Sequence, residues 1–361
     1  MSGDQSHSSG LKRMTELKTG GAQGYLRIAT EEAFITREVL SAYKRMLAAG
    51  VQDPGFASLW GFYTGSPSAR ATTVIERLQD LGARRLADMD ATGIDKAIIA
   101  LTAPGTHVFA VDEARRLTTD ANDQLADACR RHPDRFIGMT AIAPQDPAWS
   151  AKEIERGQTL GFKAVILNGH VNSEYTDDPK YGPIFAAAEA LGTPIYLHPQ
   201  GPSKGLIGPL LERGLDGAVF GFGVDTGLHL LRLIVTGLFD RYPKLKFIVG
   251  HGGEALPYWA FRLDYMHAAG IRSGRYDFLK PLQLPISGYF KRNIYVTFSG
   301  VAWEPAIQFC KSTLGIDRIM YAMDYPYQFH AEEVAAQDAM TMSAQDKKAF
   351  FQTNAERVFN L

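Results

Sequence analysis

Eight short apolar runs, each closing on polar residues, recur along this chain and leave it few possible folds. They are Leu26–Phe34, Ile94–Leu101, Phe136–Ala143, Phe162–Leu167, Thr193–His198, Leu245–His251, Asn293–Ser299 and Arg318–Asp324. Amphipathic helical patterns separate them, at Asp112–Arg131, Ala151–Leu160, Lys180–Leu191, Gly227–Arg241, Glu254–His267 and Glu304–Leu314, with a last one at Ala344–Phe359. Short apolar strands joined through helices imply a parallel sheet covered on both faces. Eight such units predict an α/β fold, a (β/α)8 TIM-type barrel, rather than an open doubly wound sheet. The open sheet is further disfavoured because no G-x-G-x-x-G follows the first run.

The interval between the first two strands breaks the repeat. Residues 36–85 hold helical pieces and the stretch DPGFASLWGFYTGSPSAR (53–70), read as a loop. The whole predicts an insertion capping the barrel mouth, and the aromatic residues Trp60, Phe62 and Tyr63 predict that it is ordered. Residues 1–24 are polar and rich in Gly and Ser without an apolar core, which predicts a flexible tail rather than a signal peptide. Residues 25–361 then form a single domain.

Charge narrows the partners. With 38 basic and 39 acidic residues the net charge is −1, so no basic field is available for nucleic acid or anionic lipid. No run of 18 apolar residues suggests a membrane span. Cys129 and Cys310 are far apart and make no disulfide framework, which reads as a reduced, cytoplasmic protein.

In a barrel the chemistry sits at the C-terminal ends of the strands. There this sequence places Glu31-Glu32-Ala33, Thr102, Asn168 with His170, His198-Pro199, His251-Gly252-Gly253-Glu254, Ser299-Gly300 and Asp324-Tyr325-Pro326. A carboxylate on the first strand, histidines on the fifth and sixth, and an aspartate on the eighth are metal-ligand types converging on one axis. The ordered motifs TEEAF (30–34), LHPQG (197–201), GHGGEALPYW (250–259) and AMDYP (322–326) resemble the amidohydrolase superfamily, in the branch related to aminocarboxymuconate-semialdehyde decarboxylase. The resemblance spans the barrel, residues 26–361. Many members carry H-x-H on the first strand, and phenolic acid decarboxylases E-x-H. This chain has E-x-A at 31–33.

Side chains alternate across a strand. Ala29, Glu31 and Ala33 share the parity expected to face the axis, and Glu32 the other. Glu31 also aligns with the first member of the family motif. The expected metal set is therefore Glu31, His198 and Asp324. Two oxygens and one nitrogen favour Mn²⁺ on ligand type, with Zn²⁺ as the alternative, and the resemblance also implies manganese. His251 is expected as a catalytic residue outside the metal set, its imidazole N–H accepted by Glu254 three residues on.

What the resemblance implies is a carboxy-lyase that removes CO2 from a phenolic acid without oxidation, 5-carboxyvanillate first among candidates, in the breakdown of lignin-derived aromatics. No organic cofactor is then required. Asp324 would protonate the ring carbon bearing the carboxylate, directly or through His251. A flat anionic substrate calls for Arg donors and aromatic walls. Arg70 and Arg262 are the candidate donors, with Tyr63, Thr102 and Phe222 as lining residues, and Arg262 could instead serve a neighbouring subunit. The remaining alternatives are a decarboxylase of resorcylate- or dihydroxybenzoate-type acids and a metal-dependent hydrolase of the same fold. A homodimer or homotetramer associating through the insertion is expected.

Overall fold

Residues 17, 19–50 and 53–361 are described in the computed structural model. All eight expected strands are present: β1 (Ile28–Phe34), β2 (Lys96–Leu101), β3 (Phe136–Ala141), β4 (Ala164–Asn168), β5 (Ile195–His198), β6 (Phe247–Val249), β7 (Ile294–Thr297) and β8 (Ile319–Met320). They are parallel and hydrogen-bonded in sequence order. Closure between first and last strand comes from Thr30 N–H to the Tyr321 carbonyl at 3.2 Å, Ala33 N–H to the Tyr325 carbonyl at 2.7 Å and a bridge between Glu32 and Tyr325. The arrangement is a (β/α)8 barrel. Its strands are apolar along nearly their whole length because both faces are covered.

Every strand is shorter than its apolar run, β6 and β8 the most. β6 stops before Gly250, where Gly252 and Gly253 take φ values of 71° and 72° and turn the chain into a short helical segment. β8 stops because the Tyr321 N–H donates to the Phe350 carbonyl of the C-terminal helical region, at 2.9 Å, instead of to a strand. That region is not one helix: Ala344–Lys348 and Asn354–Phe359 flank a wider turn at Ala349–Thr353. The pattern at Gly227–Arg241 is likewise two helices, Gly221–Val235 and Leu238–Arg241, parted at the left-handed Gly237.

The stretch 53–70 is helical rather than a loop. Asp53 accepts the Phe56 N–H at 2.8 Å, Pro54 opens the first turn, and Pro54–Gly65 is α-helix. A second helix, Ala69–Leu78, follows. Trp60 is fully buried, with its indole N–H donating to the Ala103 carbonyl at 3.1 Å, and this pins the helix to the β2 loop. Of the expected tail, residues 1–16 and 18 lie outside the described residues. Residues 20–23 form turns, with the Gly20 N–H donating to Asp95 Oδ1 at 2.6 Å.

Candidate active site

Glu31 leaves β1 toward the barrel axis and is buried. Its Oε2 accepts hydrogen bonds from the hydroxyls of Tyr196, Ser299 and Thr297, the last at 3.2 Å. Oε1 has no hydrogen-bond partner. It faces two ring nitrogens instead, His198 Nε2 at 3.1 Å and His251 Nε2 at 3.5 Å. The His198 Nδ1 lies 2.7 Å from the Pro199 carbonyl and donates to it, which leaves Nε2 turned toward Glu31 Oε1. In the neutral ring this tautomer would aim the Nε2 lone pair and the free Glu31 Oε1 into one space, where a divalent ion could take both.

Asp324 closes the ring from the loop after β8. With Glu31, Ala33, Thr102, Tyr196 and His198 it lines an inner cavity of about 20 Å³, the volume of roughly one water-sized body. Among the described residues no three His, Cys, Asp or Glu side chains are drawn together tightly enough to form a finished cage. The lone-pair geometry and the cavity nevertheless suit a divalent ion held by Glu31, His198 and Asp324. The donor set fits the group that the motifs imply.

Electrostatics set the protonation states. Burial opposes charge on Glu31, but His251, His198 and the Ser299 hydroxyl outweigh it and hold the carboxyl below its usual range. Burial, and next the charge of Glu31, push Asp324 up to about 7. Burial disfavours charge on His251 as well, yet Glu31 and Glu254 raise it to about 10. The His251 Nδ1 lies 2.8 Å from Glu254 Oε1, the pairing expected from their three-residue spacing. His251, Glu254 and Asp324 all have left-handed backbones, with φ of 52°, 53° and 73°. Such strain gathers at functional sites.

Above the ion-sized cavity opens a larger one of about 880 Å³. Tyr63, Arg70, Thr102 and Phe222 line it, together with His198, His251, Glu254 and Asp324. Arg70 donates to the Tyr327 carbonyl at 3.0 Å, and the Thr102 hydroxyl lies 2.5 Å from that of Tyr327. Arg262 does not line the cavity. On the helix Leu256–Ser273 it is Leu256, Trp259 and Leu263 that face inward, and Arg262, about 100° around from Leu263, is exposed. His170 stays outside as well, buried with its Nε2 3.0 Å from the Gly201 carbonyl.

Several site residues escape a reading of strand ends alone. Tyr196 lies two positions before His198, and Thr297 two before Ser299, so parity points all four toward the axis. Glu32 faces away from the axis, as alternation predicts, but β1 carries an extra residue against β2 between Ala29 and Glu32. The Glu32 carboxylate is buried and accepts the backbone N–H groups of Met323 and Tyr325.

A family model described as amidohydrolase matches residues 76–361. The chain belongs to the amidohydrolase family. This amidohydrolase is 62% identical to a 5-carboxyvanillate decarboxylase from Novosphingobium aromaticivorans, solved with manganese and 4-hydroxy-3-methoxy-5-nitrobenzoic acid. That similarity covers 96% of this chain and 100% of the other, with a TM-score of 0.95. The 5-carboxyvanillate decarboxylase of Sphingomonas paucimobilis is 37% identical, over 93% of this chain and 99% of that one, with a TM-score of 0.88. A gamma-resorcylate decarboxylase from Polaromonas is 32% identical across 93% of this chain and 98% of its own length.

Proposed function

We propose that this amidohydrolase is a metal-dependent, nonoxidative decarboxylase that converts 5-carboxyvanillate to vanillate and CO2 in the breakdown of lignin-derived aromatics. The observation that carries the reading is the facing pair Glu31 Oε1 and His198 Nε2, beside Asp324, at the floor of an aromatic-walled cavity. The 62% identity to a 5-carboxyvanillate decarboxylase supports the substrate.

A divalent ion held by Glu31, His198 and Asp324, Mn²⁺ by its oxygen-rich donors and by likeness to the manganese-bound relative, would bind the substrate carboxylate and the adjacent phenol oxygen and polarise them. Arg70 supplies a cationic donor at the mouth, and Tyr63 and Phe222 flank the ring. Asp324 protonates the ring carbon bearing the carboxylate. The C–C bond then breaks, its electron pair returns to the ring and restores aromaticity, and CO2 leaves. His251, kept protonated between Glu31 and Glu254, returns a proton to Asp324. No redox step occurs, so no organic cofactor is needed.

The exposed aromatic residues Tyr258, Phe261 and Tyr265 on the helix Leu256–Ser273 are 71%, 84% and 60% accessible, an apolar face of the kind that other molecules cover. We place a second copy on this face rather than on the insertion, as a homodimer or within a homotetramer, so that Arg262 serves the neighbouring molecule. Both cysteines are free, in keeping with a cytoplasmic enzyme. No described helix is long and apolar enough to cross a membrane.

The test is CO2 release from a substrate panel by chelator-stripped protein, before and after Mn²⁺ or Zn²⁺ is restored. Metal-dependent CO2 release from 5-carboxyvanillate in excess of that from 2,6-dihydroxybenzoate is expected. Hydrolysis of an ester or amide without CO2 release overturns the reading.

A further inference from the structure

Taking a carboxylate out of water demands compensation, most often from Arg or Lys. Among the described residues Glu31 has neither, and its ion partners are His198 and His251. Both imidazoles address Oε1. Compensation at Oε2 comes from three hydroxyls, Tyr196 from β5, Thr297 from β7 and Ser299 just beyond β7.

We propose that Tyr196, Ser299 and Thr297 form a hydroxyl collar that positions Glu31 as a one-oxygen ligand, bonding the metal through Oε1 alone. This rests on the metal reading given above. A carboxylate oxygen offers about two lone-pair directions. With three hydroxyls against it, Oε2 has none left for an ion, while Oε1 faces the ion-sized cavity without a partner. The collar is tightly built. Tyr196 is fully buried, and its hydroxyl also lies 2.6 Å from Thr297 Oγ1. Gly250 closes the collar, because a Cβ at that position would stand 2.7 Å from Glu31 Oε2, 3.2 Å from Ser299 Oγ and 3.3 Å from the Tyr196 hydroxyl. Only a residue without a side chain lets all three approach.

The collar accounts for two things. It satisfies Oε2 with neutral donors, so that this oxygen needs no cation of its own. It also prevents the second oxygen from swinging onto the ion and taking a position that a substrate with two adjacent oxygens requires. Groups that orient a ligand in this way change metal affinity by about 10–100-fold when removed. Tyr196, Ser299 and Thr297 are therefore positioning residues, acting through Glu31.

The test is a titration of chelator-stripped, full-length protein with Mn²⁺ alone, the free ion being counted by its paramagnetic resonance. Wild type, Tyr196→Phe, Ser299→Ala and Glu31→Gln are compared, each with its metal-free thermal midpoint. Tyr196→Phe and Ser299→Ala are expected to weaken Mn²⁺ binding about 10–100-fold. Tight wild-type binding with both variants within twofold overturns the collar alone, whatever happens to the midpoints, because a purely structural role would move only those. If wild type binds Mn²⁺ no better than Glu31→Gln, the metal reading falls and the collar with it. Should Tyr196→Phe not fold, Ser299→Ala carries the same test.

Discussion

The Glu32 carboxylate accepts the backbone N–H groups on either side of Asp324, Met323 at Oε1 and Tyr325 at Oε2, both at 3.1 Å. Asp324 between them has φ 73°, a conformation that disfavours a non-glycine residue by roughly 1–3 kcal/mol. The outward acid of β1 thus fixes the loop that carries the acid of β8. Burial raises the Glu32 pKa, while the two N–H groups and Arg85 work in the opposite direction. In Glu32→Gln an amide N–H₂ would face one of these backbone N–H groups. The expected loss is about 2–4 kcal/mol in denaturant unfolding together with a drop in turnover, since a buried donor is left unsatisfied. An unchanged denaturation midpoint with full activity would refute the clamp.

Asp324→Asn removes the proton donor while nearly preserving shape. Circular dichroism should stay native and CO2 release should fall by about 10²–10⁴-fold, the usual contribution of a positioned acid. Turnover within a few-fold of wild type would exclude Asp324 as the donor.

Acid stability should depend on two histidines away from the metal. Burial holds His107 and His229 down to about 3 each, so both are neutral in the folded protein. Unfolded, each has its ordinary value of 6.5. Below that pH the unfolded chain binds more protons, so the stabilisation present above 6.5 drains away as pH falls toward 3. Each group loses about 2 kcal/mol between pH 6.5 and 5. The His107 Nδ1–H donates to the Asn168 carbonyl at 2.6 Å, a bond that the amide of His107→Asn can imitate. Urea unfolding at pH 7 and pH 5 should show a smaller decline in that variant, and an equal decline in both proteins would count against the assignment.

The helix Pro54–Gly65 meets the loop after β5 through bare backbone. A Cβ at Gly55 would stand 2.9 Å from Gly201 Cα, and one at Gly201 would stand 2.6 Å from Gly55 Cα. No side chain is there to move aside. Gly55→Ala should push the helix off the barrel, disturb Leu59 and Tyr63 in the cavity wall, and destabilise by roughly 1–3 kcal/mol. Kinetically, KM should rise severalfold with a smaller change in kcat. Unaltered KM and proteolytic resistance would show that the contact tolerates a methyl group.

Why some of this was readable in the sequence, and some was not, follows from the range of each interaction. The strands stand out because a sheet covered on both faces needs apolar residues throughout, and Glu31, His198, His251 and Asp324 stand out because they end such runs. The pairing of His251 with Glu254 is local and follows from spacing. The Asp53-Pro54 cap is local too, but the Gly, Pro and Ser residues of 53–70 obscured it. The apolar run of β8 outlasts the strand because the next N–H, that of Tyr321, pairs with Phe350, 29 residues away in the chain. Arg262 was misplaced for another reason, since a distance along a helix gives no rotation about it. The three hydroxyls on one oxygen of Glu31 come from β5 and the end of β7, far from β1 in sequence, and no pattern along the chain records that they meet it.

The barrel seam joins the first strand to the last, and the site straddles it. A ribosome delivers Glu31 early and Asp324 about 300 residues later, an interval of roughly 15–60 s at ordinary elongation rates. If Glu31 and Asp324 hold the metal as proposed, no fragment owns a complete set of ligands until the eighth strand arrives. Such a nascent protein would be unable to capture an ion or act on a phenolic acid while still being made, and activity would begin only once the first and last strands have met.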